Sequence, residues 1–502
     1  MNGSSFGTRV RMQQYWQNFA PSLESMMLDK TASLIHIDEQ AEIAGLLPSL
    51  ENKRVLELGA GIGRYTGLLA SEAHHVTAVD FMEEYILVNQ KNHGHLNNIS
   101  YIAADVLDLQ LPAKKFGVIF SNWLFMYLTD QECVSLLQRI LGWLDDGGSL
   151  FFRESCFHSS GNFSRSTNPT FYRTPEDYAS QLESAWLSNS DSILEPSEEG
   201  YGFKIISVGS LRSYIKHKNN SYQIYFLAKK TDKEMDSKSK DNFQNFLDNK
   251  QYSRNGVRRY EWIFGKTFLS TGGMSTTGKY VERLDLKPGQ KVLDVGCGIG
   301  GHSFYMAEKY GVEVLGVDLS VNMMTEATEY LSERSHLDKK VKFVICDITK
   351  SVYDDASFDT IYSRDTLLHI PNKEELFQNF ERWLKPGGKI LFTDYTRSEQ
   401  DISSNFEQYI KDRGYNLLTL KQYKELLENC GFVNIKAEDA TEEFLKALHE
   451  ELDKLRKGKE NFLKEFSEED YKYLEENWIA KIKRVEEGNQ TWTACYAEKR
   501  QE

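Results

Sequence analysis

Short apolar runs alternate with longer amphipathic stretches along this chain, and the alternation occurs twice. Residues 55–63 read VLELGAGIG, and residues 292–300 read VLDVGCGIG. An apolar run that contains one acid and leads into G-x-G-x-G is typical of a buried strand that turns into a helix beneath a nucleotide-like ligand. The repeated segment therefore predicts one fold duplicated in tandem, with a ligand site in each copy.

Further landmarks follow in the same order in both copies. The second apolar strand is predicted to end at Asp80 and at Asp318, and the third at Asp105 and at Asp347. A fourth run covers 118–123 and 360–365, a fifth element opens at 143–148 and 383–388, and amphipathic segments such as 374–383 lie between the runs. This alternation predicts an α/β fold in each copy, with a parallel sheet wrapped by helices.

The chain has 502 residues, which is too long for one ordinary core and suits two domains. A charged, Ser-containing segment lies between the copies and predicts a linker. We expect a first domain over 1–228, a linker over 229–242 and a second domain over 243–502. The tail over 442–484 is predicted to be helical, with most of its charges on a solvated face.

Composition excludes several classes of partner. The formal net charge is −14, which argues against a general affinity for nucleic acid or for an anionic membrane surface. The six cysteines form no C-x-x-C pair, so neither a zinc site nor a disulfide framework is predicted. With no signal-peptide pattern and no apolar stretch long enough to span a bilayer, we expect a cytoplasmic protein without membrane insertion.

The spacing of glycines and acids favours one cofactor over another. Dinucleotide sites use G-x-G-x-x-G, whereas both copies here carry G-x-G-x-G. Asp80 and Asp318 are placed to accept hydrogen bonds from ribose hydroxyls, a feature that NAD sites share. Asp105 and Asp347 discriminate better, because each precedes an aliphatic residue, Val106 or Ile348, that can pack on an adenine ring. The competing interpretation of each aspartate is an ordinary loop or cap residue.

These residues resemble those of class I S-adenosylmethionine-dependent methyltransferases, which have Rossmann-like domains. Residues 243–502 also resemble the phosphoethanolamine N-methyltransferase family, in segments such as 249–252, 260–265, 269–273, 363–369, 393–395, 413–415 and 481–483. The N-terminal copy is similar to the first half of the tandem, plant-type members in 122–123, 153–158 and 168–170. The resemblance covers the whole chain.

The resemblance implies an activity and a division of labour. The N-terminal domain would methylate phosphoethanolamine once, and the C-terminal domain would add two methyl groups to give phosphocholine for phosphatidylcholine synthesis. The cofactor would be S-adenosylmethionine, with a small phosphobase as substrate, no metal and no obligate protein partner.

In the C-terminal copy the resemblance assigns His369 as the base that removes a proton from the substrate ammonium, paired with Tyr252. An isolated His after an apolar pair is otherwise a satisfied core residue. Asp365 would hold the ammonium. The cofactor would contact Ser270, Gly296, Asp318, Asp347, Ile348 and Arg364. The phosphate pocket would comprise Gln251, Tyr260, Tyr395, Tyr409, Arg413, Gly414, Tyr415 and Lys481, residues that supply the hydroxyls and cations a phosphate needs.

The N-terminal copy departs from this pattern, because Tyr127 stands where His369 lies in the other copy. Either another base acts here or the first methylation needs different help, and Tyr15 is a candidate counterpart of Tyr252. By resemblance the cofactor would contact Gly59, Arg64, Asp80, Asp105, Val106 and Asn122. The substrate would contact Ser155, Ser160, Gly161, Arg165 and Tyr172, although this stretch also suits an ordinary surface loop.

Four alternatives compete with this interpretation. A sterol or quinone C-methyltransferase would need a large apolar cavity and no phosphate clamp. A methylase of intact phosphatidylethanolamine would carry membrane-spanning or interfacial segments. The N-terminal copy, which lacks the His, is the one candidate for a regulatory module that binds cofactor without turnover. Nucleic-acid methylation is disfavoured by the net charge.

Overall fold

The computed structural model describes residues 3–27, 32–158, 170–188, 199–234, 248 and 252–501. The chain divides into two compact units, residues 1–246 and 247–502. Each unit contains one mixed sheet with helices packed against it, which confirms the predicted α/β fold in each copy.

The N-terminal unit contains an eight-stranded sheet in the order β3-β2-β1-β4-β5-β8-β7-β6. Its strands are β1 (Arg54–Leu58), β2 (His75–Asp80), β3 (Ile99–Ala103), β4 (Phe116–Asn122), β5 (Leu144–Ser155), β6 (Trp186–Ser188), β7 (Glu199–Ser210) and β8 (Gln223–Glu234). The first five pair in parallel, and β8, β7 and β6 continue the sheet in antiparallel fashion.

Eight helices accompany this sheet among the described residues of the N-terminal unit. They are α1 (Gly3–Gln17), α2 (Leu23–Met27), α3 (Ala32–Leu46), α4 (Thr66–Glu72), α5 (Glu83–His93), α6 (Asp130–Trp143), α7 (Pro175–Ser184) and α8 (Arg212–Lys218). A short 3-10 turn, Phe125–Tyr127, follows β4. Thr129 and Glu132 form a capping box that fixes the start of α6 directly after this turn.

The C-terminal unit repeats the parallel part of the sheet and the two antiparallel strands beside it, in the order β11-β10-β9-β12-β13-β15-β14. Its strands are β9 (Lys291–Val295), β10 (Glu313–Asp318), β11 (Val341–Ile345), β12 (Phe358–Arg364), β13 (Leu384–Arg397), β14 (Val433–Asp439) and β15 (Gln490–Glu498). Its helices are α9 (Arg254–Phe264), α10 (Gly273–Glu282), α11 (Gly301–Tyr310), α12 (Val321–Ser332), α13 (Lys373–Trp383), α14 (Ser404–Arg413), α15 (Leu420–Asn429), α16 (Thr441–Lys457), α17 (Lys459–Phe462) and α18 (Glu468–Glu486).

The core of each unit lies around its central strand. Val55, Leu56 and Leu58 of β1 are fully buried, as are Val292, Leu293 and Val295 of β9. Apart from the exposed first residue and one buried acid in each, Glu57 and Asp294, these strands are apolar instead of alternating, as is typical of central parallel strands. In α13 the buried residues Leu376, Phe377, Phe380 and Trp383 recur at helical spacing, which is the amphipathic pattern seen in the sequence.

The predicted landmarks can be compared with these bounds. Asp80 and Asp318 are the last residues of β2 and β10, as predicted. The third strands end at Ala103 and Ile345, two residues before the predicted aspartates, so Asp105 and Asp347 lie in the loops that follow. The charged tail is helical as predicted, in α16, α17 and α18.

The start of the predicted linker is wrong. Strand β8 continues to Glu234, so residues 229–234 pair with β7 and do not belong to a linker over 229–242. The cause is that a charged segment can join a sheet when its long side chains find partners: Lys230 is buried and its Nζ donates to the Leu144 carbonyl at 2.9 Å. Residues 235–242 lie outside the described part of the chain.

In the described part of the chain, no helix combines the length and apolar character that crossing a bilayer requires.

Candidate active sites in the two units

The glycine-rich turn after the first strand of each sheet has backbone conformations that glycine adopts readily. In the C-terminal unit Gly296 has φ +69°, and a Cβ atom placed there would lie 2.1 Å from the Thr366 hydroxyl oxygen. Gly59 is its counterpart in the N-terminal unit, with φ +73°. The missing side chains let the main chain turn tightly and leave room for a ligand to approach the backbone.

The acid at the end of the second strand closes the same turn in both units. Asp80 Oδ2 accepts from the Gly61 N–H at 2.9 Å, and Asp318 Oδ2 accepts from the Gly298 N–H at 3.0 Å. Each Oδ1 accepts one further backbone N–H, from Met82 or from Ser320, at 2.9 Å. Burial raises the pKa of Asp80 to about 6 and also raises that of Asp318. Each carboxylate retains acceptor capacity of the kind that ribose hydroxyls require.

A cavity in the N-terminal unit brings the predicted cofactor residues together. Its lining includes all six of them, namely Gly59, Arg64, Asp80, Asp105, Val106 and Asn122. Within the described residues, the buried atoms Arg64 Nε, Arg64 Nη1 and Asn122 Oδ1 have no hydrogen-bond partner. These groups suit a ligand that carries a carboxylate and an amine, because buried donors and acceptors are normally satisfied.

Arg64 is held from behind by a buried carboxylate that the sequence did not indicate. Its Nη2 forms an ion pair with Glu39 of α3, whose side chain is fully buried, and Glu39 also pairs with Arg153 of β5. Arg153 in turn lies over the Trp123 ring, 3.8 Å from its centroid. The cluster carries one net positive charge, and Arg64 presents it to the cavity.

A second buried acid supports the turn after the fourth strand. Glu154 accepts the N–H groups of Leu124, Phe125 and Met126 at 2.7–3.2 Å, and in the other unit Asp394 accepts that of Leu368 at 3.2 Å. Burial raises the pKa of each of these two acids to about 7. They anchor the short turns that carry Tyr127 and His369. The sequence could have indicated these two acids as counterparts, since each lies six residues after the second glycine of its Gly-Gly pair.

Among the predicted cofactor residues of the C-terminal unit, Gly296 lies in the glycine turn that Asp318 closes. Asp347 and Ile348 follow β11, the strand beside β10, and Ile348 is buried. Asp347 caps the 3-10 turn Ile348–Lys350 through a bond from the Thr349 N–H at 3.0 Å, so it also has the cap role that competed with adenine binding. Burial alone would raise the pKa of Asp347, but the hydrogen bonds from Thr349 and the ion pair with Lys350 hold it below its usual value.

Two other predicted cofactor residues are engaged within the protein. The Ser270 hydroxyl lies 2.9 Å from His302 Nε2, and burial keeps the pKa of His302 well below its usual value. Arg364 is buried and donates to the hydroxyls of Thr393, Tyr362 and Thr276 and to the Thr271 carbonyl, at 2.7–3.4 Å. Most of its donor capacity is therefore used by the protein.

His369 lies at the end of the turn after β12, in contact with the predicted phosphate residues. Its ring centroid is 5.3 Å from that of Tyr415, edge to face. Burial lowers the pKa of His369 to about 4, and the charges of Lys373 and Arg413 act in the same direction. The imidazole is therefore neutral near pH 7, although the low pKa makes it a weaker proton acceptor than an exposed histidine.

The partners predicted for His369 lie around it in different ways. Tyr252 lies in the same cluster. Burial is the main cause of the raised pKa values of Tyr260, Tyr395 and Tyr415, and the nearby Tyr252 hydroxyl raises each of them further. Asp365 has φ +52° and accepts from the Thr393 hydroxyl at 2.8 Å and from the Trp492 indole at 2.7 Å. Its carboxylate is thus fixed in orientation at the carboxyl end of β12.

The remaining phosphate candidates form one cluster of hydroxyls and cations. The Tyr409 and Tyr415 rings are 6.0 Å apart, and the Arg413 guanidinium is 5.6 Å from the Tyr409 centroid. The Lys481 ammonium is 5.3 Å from the Tyr395 ring, whose hydroxyl bonds that of Thr271 at 3.2 Å. Gly414 ends α14 in a left-handed conformation, with φ +64°. Gln251 lies outside the described residues.

The substrate candidates of the N-terminal unit are described only in part. Ser160, Gly161 and Arg165 lie outside the described residues. The buried Ser155 hydroxyl accepts from Gln223 Nε2 at 2.8 Å. Tyr15 and Tyr172 both pack against an apolar group that includes Trp16 and Tyr127, which borders the cavity.

Among the described residues, no three His, Cys, Asp or Glu side chains are grouped closely enough to hold a metal ion.

Comparison with known proteins identifies close relatives along the whole chain. Residues 55–148 match one methyltransferase-domain family, and residues 286–477 match another. The chain is 45% identical over 494 residues to phosphoethanolamine N-methyltransferase 3 of Arabidopsis thaliana, covering 97% of this chain and 98% of the relative. It is 46% identical over 495 residues to phosphoethanolamine N-methyltransferase 1 of Zea mays, covering 98% and 96%. Haemonchus contortus phosphoethanolamine N-methyltransferase 2, solved with phosphomonomethylethanolamine and S-adenosylhomocysteine, is 25% identical with a TM-score of 0.64, covering 93% of this chain and 99% of that one.

Proposed function

The chain belongs to the phosphoethanolamine N-methyltransferase family, and from that premise we propose that it converts phosphoethanolamine to phosphocholine by three S-adenosylmethionine-dependent N-methylations. The N-terminal unit performs the first methylation in this proposal, and the C-terminal unit performs the second and third. The resemblance to tandem family members implies this division, and the sequence is consistent with it because the two sites differ: only the C-terminal turn ends in a histidine.

The residues around each glycine turn suit the cofactor. Asp80 and Asp318 would accept from the ribose, and the positions of Asp105–Val106 and Asp347–Ile348 suit the adenine. Arg64 and Asn122 would pair with the methionine carboxylate and amine in the N-terminal unit, since their buried Nε, Nη1 and Oδ1 atoms lack protein partners. When bound, S-adenosylmethionine supplies an electrophilic methyl group.

The observation that carries the proposal is the contact between a neutral base and a cationic, hydroxyl-rich cluster. His369 lies against Tyr415, beside Tyr409 and Arg413, so a phosphate held by the cluster would bring the amine of a short phosphobase to the imidazole. A substrate ammonium has no lone pair to attack a methyl group. His369 takes its proton, Tyr252 closes the site, and Asp365 orients the ammonium.

The N-terminal unit must deprotonate its substrate without a histidine at the position of His369. Tyr127 is buried against Trp16, with ring centroids 5.9 Å apart, and a tyrosine is a poor base at neutral pH. We therefore leave the base of the first methylation unassigned, with Ser155, Ser160, Gly161, Arg165 and Tyr172 as the proposed phosphobase contacts. The Haemonchus contortus relative, which binds phosphomonomethylethanolamine, supports a phosphobase substrate class.

We also propose that the enzyme acts in the cytoplasm, without an obligate protein partner. All six cysteines are free thiols, which suits a reducing compartment. Each unit carries its own glycine turn and its own substrate candidates.

The experiment is mass spectrometry of the products that the purified full-length chain makes from S-adenosylmethionine and phosphoethanolamine, with phosphomonomethylethanolamine in a parallel reaction. Phosphocholine from both substrates supports the tandem assignment. Turnover of the monomethyl compound alone would mean that the N-terminal unit binds cofactor without catalysis. Turnover of neither would remove the phosphobase assignment and leave the fold intact.

A further inference from the structure

A second arginine lies in the phosphate cluster, and it was absent from the predicted set. Arg484 is on α18, three residues after Lys481, so the two side chains share one face of the helix. Its guanidinium carbon is 4.0 Å from the centroid of the Tyr409 ring. Its Nε donates to Gln490 Oε1 at 3.0 Å, at the first residue of β15. Arg484 is thus fixed by one stacking contact and one hydrogen bond.

These contacts connect Arg484 to the catalytic candidate. Tyr409 stacks with Arg484 and also borders Arg413, whose guanidinium is 5.6 Å from the same ring. The Tyr409 ring lies 6.0 Å from the Tyr415 ring, which lies 5.3 Å from the ring of His369. Arg484 therefore stands at the end of the cluster farther from the base along this series of contacts, where the phosphate end of a short phosphobase would lie.

The charges of this cluster are not neutralised in the way that is usual elsewhere in the unit. Arg254, Arg259 and Arg283 each form an ion pair with a carboxylate. In contrast, within the described part of the chain no ion pair joins Arg413, Lys481 or Arg484 to any acid. Burial lowers the pKa of Lys481 to about 8; Glu451 opposes this shift, and the charges of Arg484 and Arg413 increase it.

Three partly buried cations that lie in one cluster, without an ion pair to a described acid, form a site that favours an anion. Burial likewise lowers the pKa of Arg484, and the Arg413 charge lowers it further against the effect of the surrounding tyrosines. An isolated cluster of this kind is costly, whereas a dianion placed among the three groups removes the repulsion.

We propose that Arg484 is a third cation of the phosphate subsite and helps to select phosphomonoester dianions. The inference rests on the proposed function of the C-terminal unit and adds a residue to it. The stacking of Arg484 on Tyr409 and its hydrogen bond to Gln490 orient the guanidinium toward the phosphate that Arg413 and Lys481 would hold. Unphosphorylated amines lack the dianion, and phosphodiesters carry only one negative charge, so both lose this interaction.

The test compares Arg484→Gln with Lys483→Gln in the full-length chain. Lys483 is the exposed neighbour on the same helix, and its substitution makes the same change in charge. For Arg484→Gln we expect KM for phosphomonomethylethanolamine to rise at least about tenfold, the order expected for a lost hydrogen bond to a charged group. Inhibition by inorganic phosphate should weaken in parallel, while kcat and the affinity for S-adenosylhomocysteine stay near those of Lys483→Gln.

A KM for Arg484→Gln that equals that of Lys483→Gln overturns the proposal, and so does a fall in kcat at unchanged KM. If Arg484→Gln does not fold, the unaltered chain decides the question by phenylglyoxal modification mapped on peptides. Inorganic phosphate should protect Arg484 and leave the exposed Arg500 reactive; equal reactivity of Arg484 with and without phosphate overturns the proposal. Because this second measurement needs no turnover, it separates failure of this inference from failure of the proposed function.

Discussion

The fourth and fifth parallel strands of each unit carry one buried arginine: Arg153 lies on the fifth strand of the N-terminal unit, and Arg364 lies on the fourth strand of the C-terminal unit. In the N-terminal unit Asn122 of β4 faces Arg153 of β5, and in the C-terminal unit Arg364 of β12 faces Thr393 of β13. Each unit thus keeps one buried guanidinium at the carboxyl end of its fourth and fifth parallel strands. The partners differ: Arg153 pairs with a carboxylate, whereas Arg364 donates to hydroxyls and a carbonyl.

This difference predicts that Glu39→Gln affects the N-terminal unit alone. The substitution leaves Arg64 and Arg153 buried without a counter-ion, and loss of one partner of a buried ion pair costs about 3–5 kcal/mol. We expect the calorimetric unfolding transition of the N-terminal unit to move to lower temperature, while that of the C-terminal unit stays unchanged. Cofactor affinity should fall at one of the two sites, because Arg64 loses the group that orients it.

Glu51→Gln, at an exposed turn residue of the same unit, is the matched control and should leave both properties unchanged. Equal weakening of both cofactor sites by Glu39→Gln would contradict the assignment of this carboxylate to Arg64.

The two strand-end acids predict a count of cofactor sites. Asp80→Asn and Asp318→Asn each replace one of two acceptor oxygens with an NH2 group, which donates and cannot accept from ribose or from the backbone N–H groups of the turn. In calorimetric titration with S-adenosylhomocysteine, the unaltered chain should bind two equivalents. Each variant should bind one tightly, and the double variant none at the same concentration. Asp285→Asn, at an exposed position of the C-terminal unit, should retain both sites; two intact sites in Asp318→Asn would remove its role.

The features that sequence predicted best are those with local causes repeated in two copies. Asp80 and Asp318 end their strands as expected, because a charged residue that follows a buried apolar run in a β-α-β unit is most easily accommodated at the strand end. The sequence could also have indicated Glu154 and Asp394, since each lies at the same distance from the Gly-Gly pair of its copy. Their role as anchors of the turn depends on backbone N–H groups, which carry no sequence signal.

Other features arise only from tertiary packing. Glu39 lies upstream of the repeat on α3, so nothing in the spacing connects it with Arg64, 25 residues later. Residues 229–234 are charged enough to suggest a linker, yet Lys230 reaches a carbonyl and the strand continues. Arg484 was missed because charged residues on a helical tail usually face solvent, and only the fold places α18 beside Tyr409.

The low pKa of His369 predicts a contribution to stability that depends on pH. Its folded pKa of about 4 lies below the ordinary value of 6.5, so the unfolded chain binds the proton more tightly. This group therefore favours the folded state fully above pH 6.5, and its contribution is lost as pH falls from 6.5 toward 4. Urea unfolding at several pH values should show a smaller loss over this range for His369→Gln than for the unaltered chain. Parallel losses would contradict the low pKa.

His369→Gln should separate proton removal from cofactor binding. Glutamine keeps a polar side chain but cannot take a proton from the substrate ammonium, and loss of a general base lowers rates about 10²–10⁴-fold. We expect kcat with phosphomonomethylethanolamine to fall by at least about a hundredfold, with unchanged affinity for S-adenosylhomocysteine. Conversion of phosphoethanolamine to the monomethyl product should continue, because Tyr127 replaces this histidine in the other unit. His449→Gln, at an exposed site, is the control. Loss of the first methylation as well would show that one site performs all three steps.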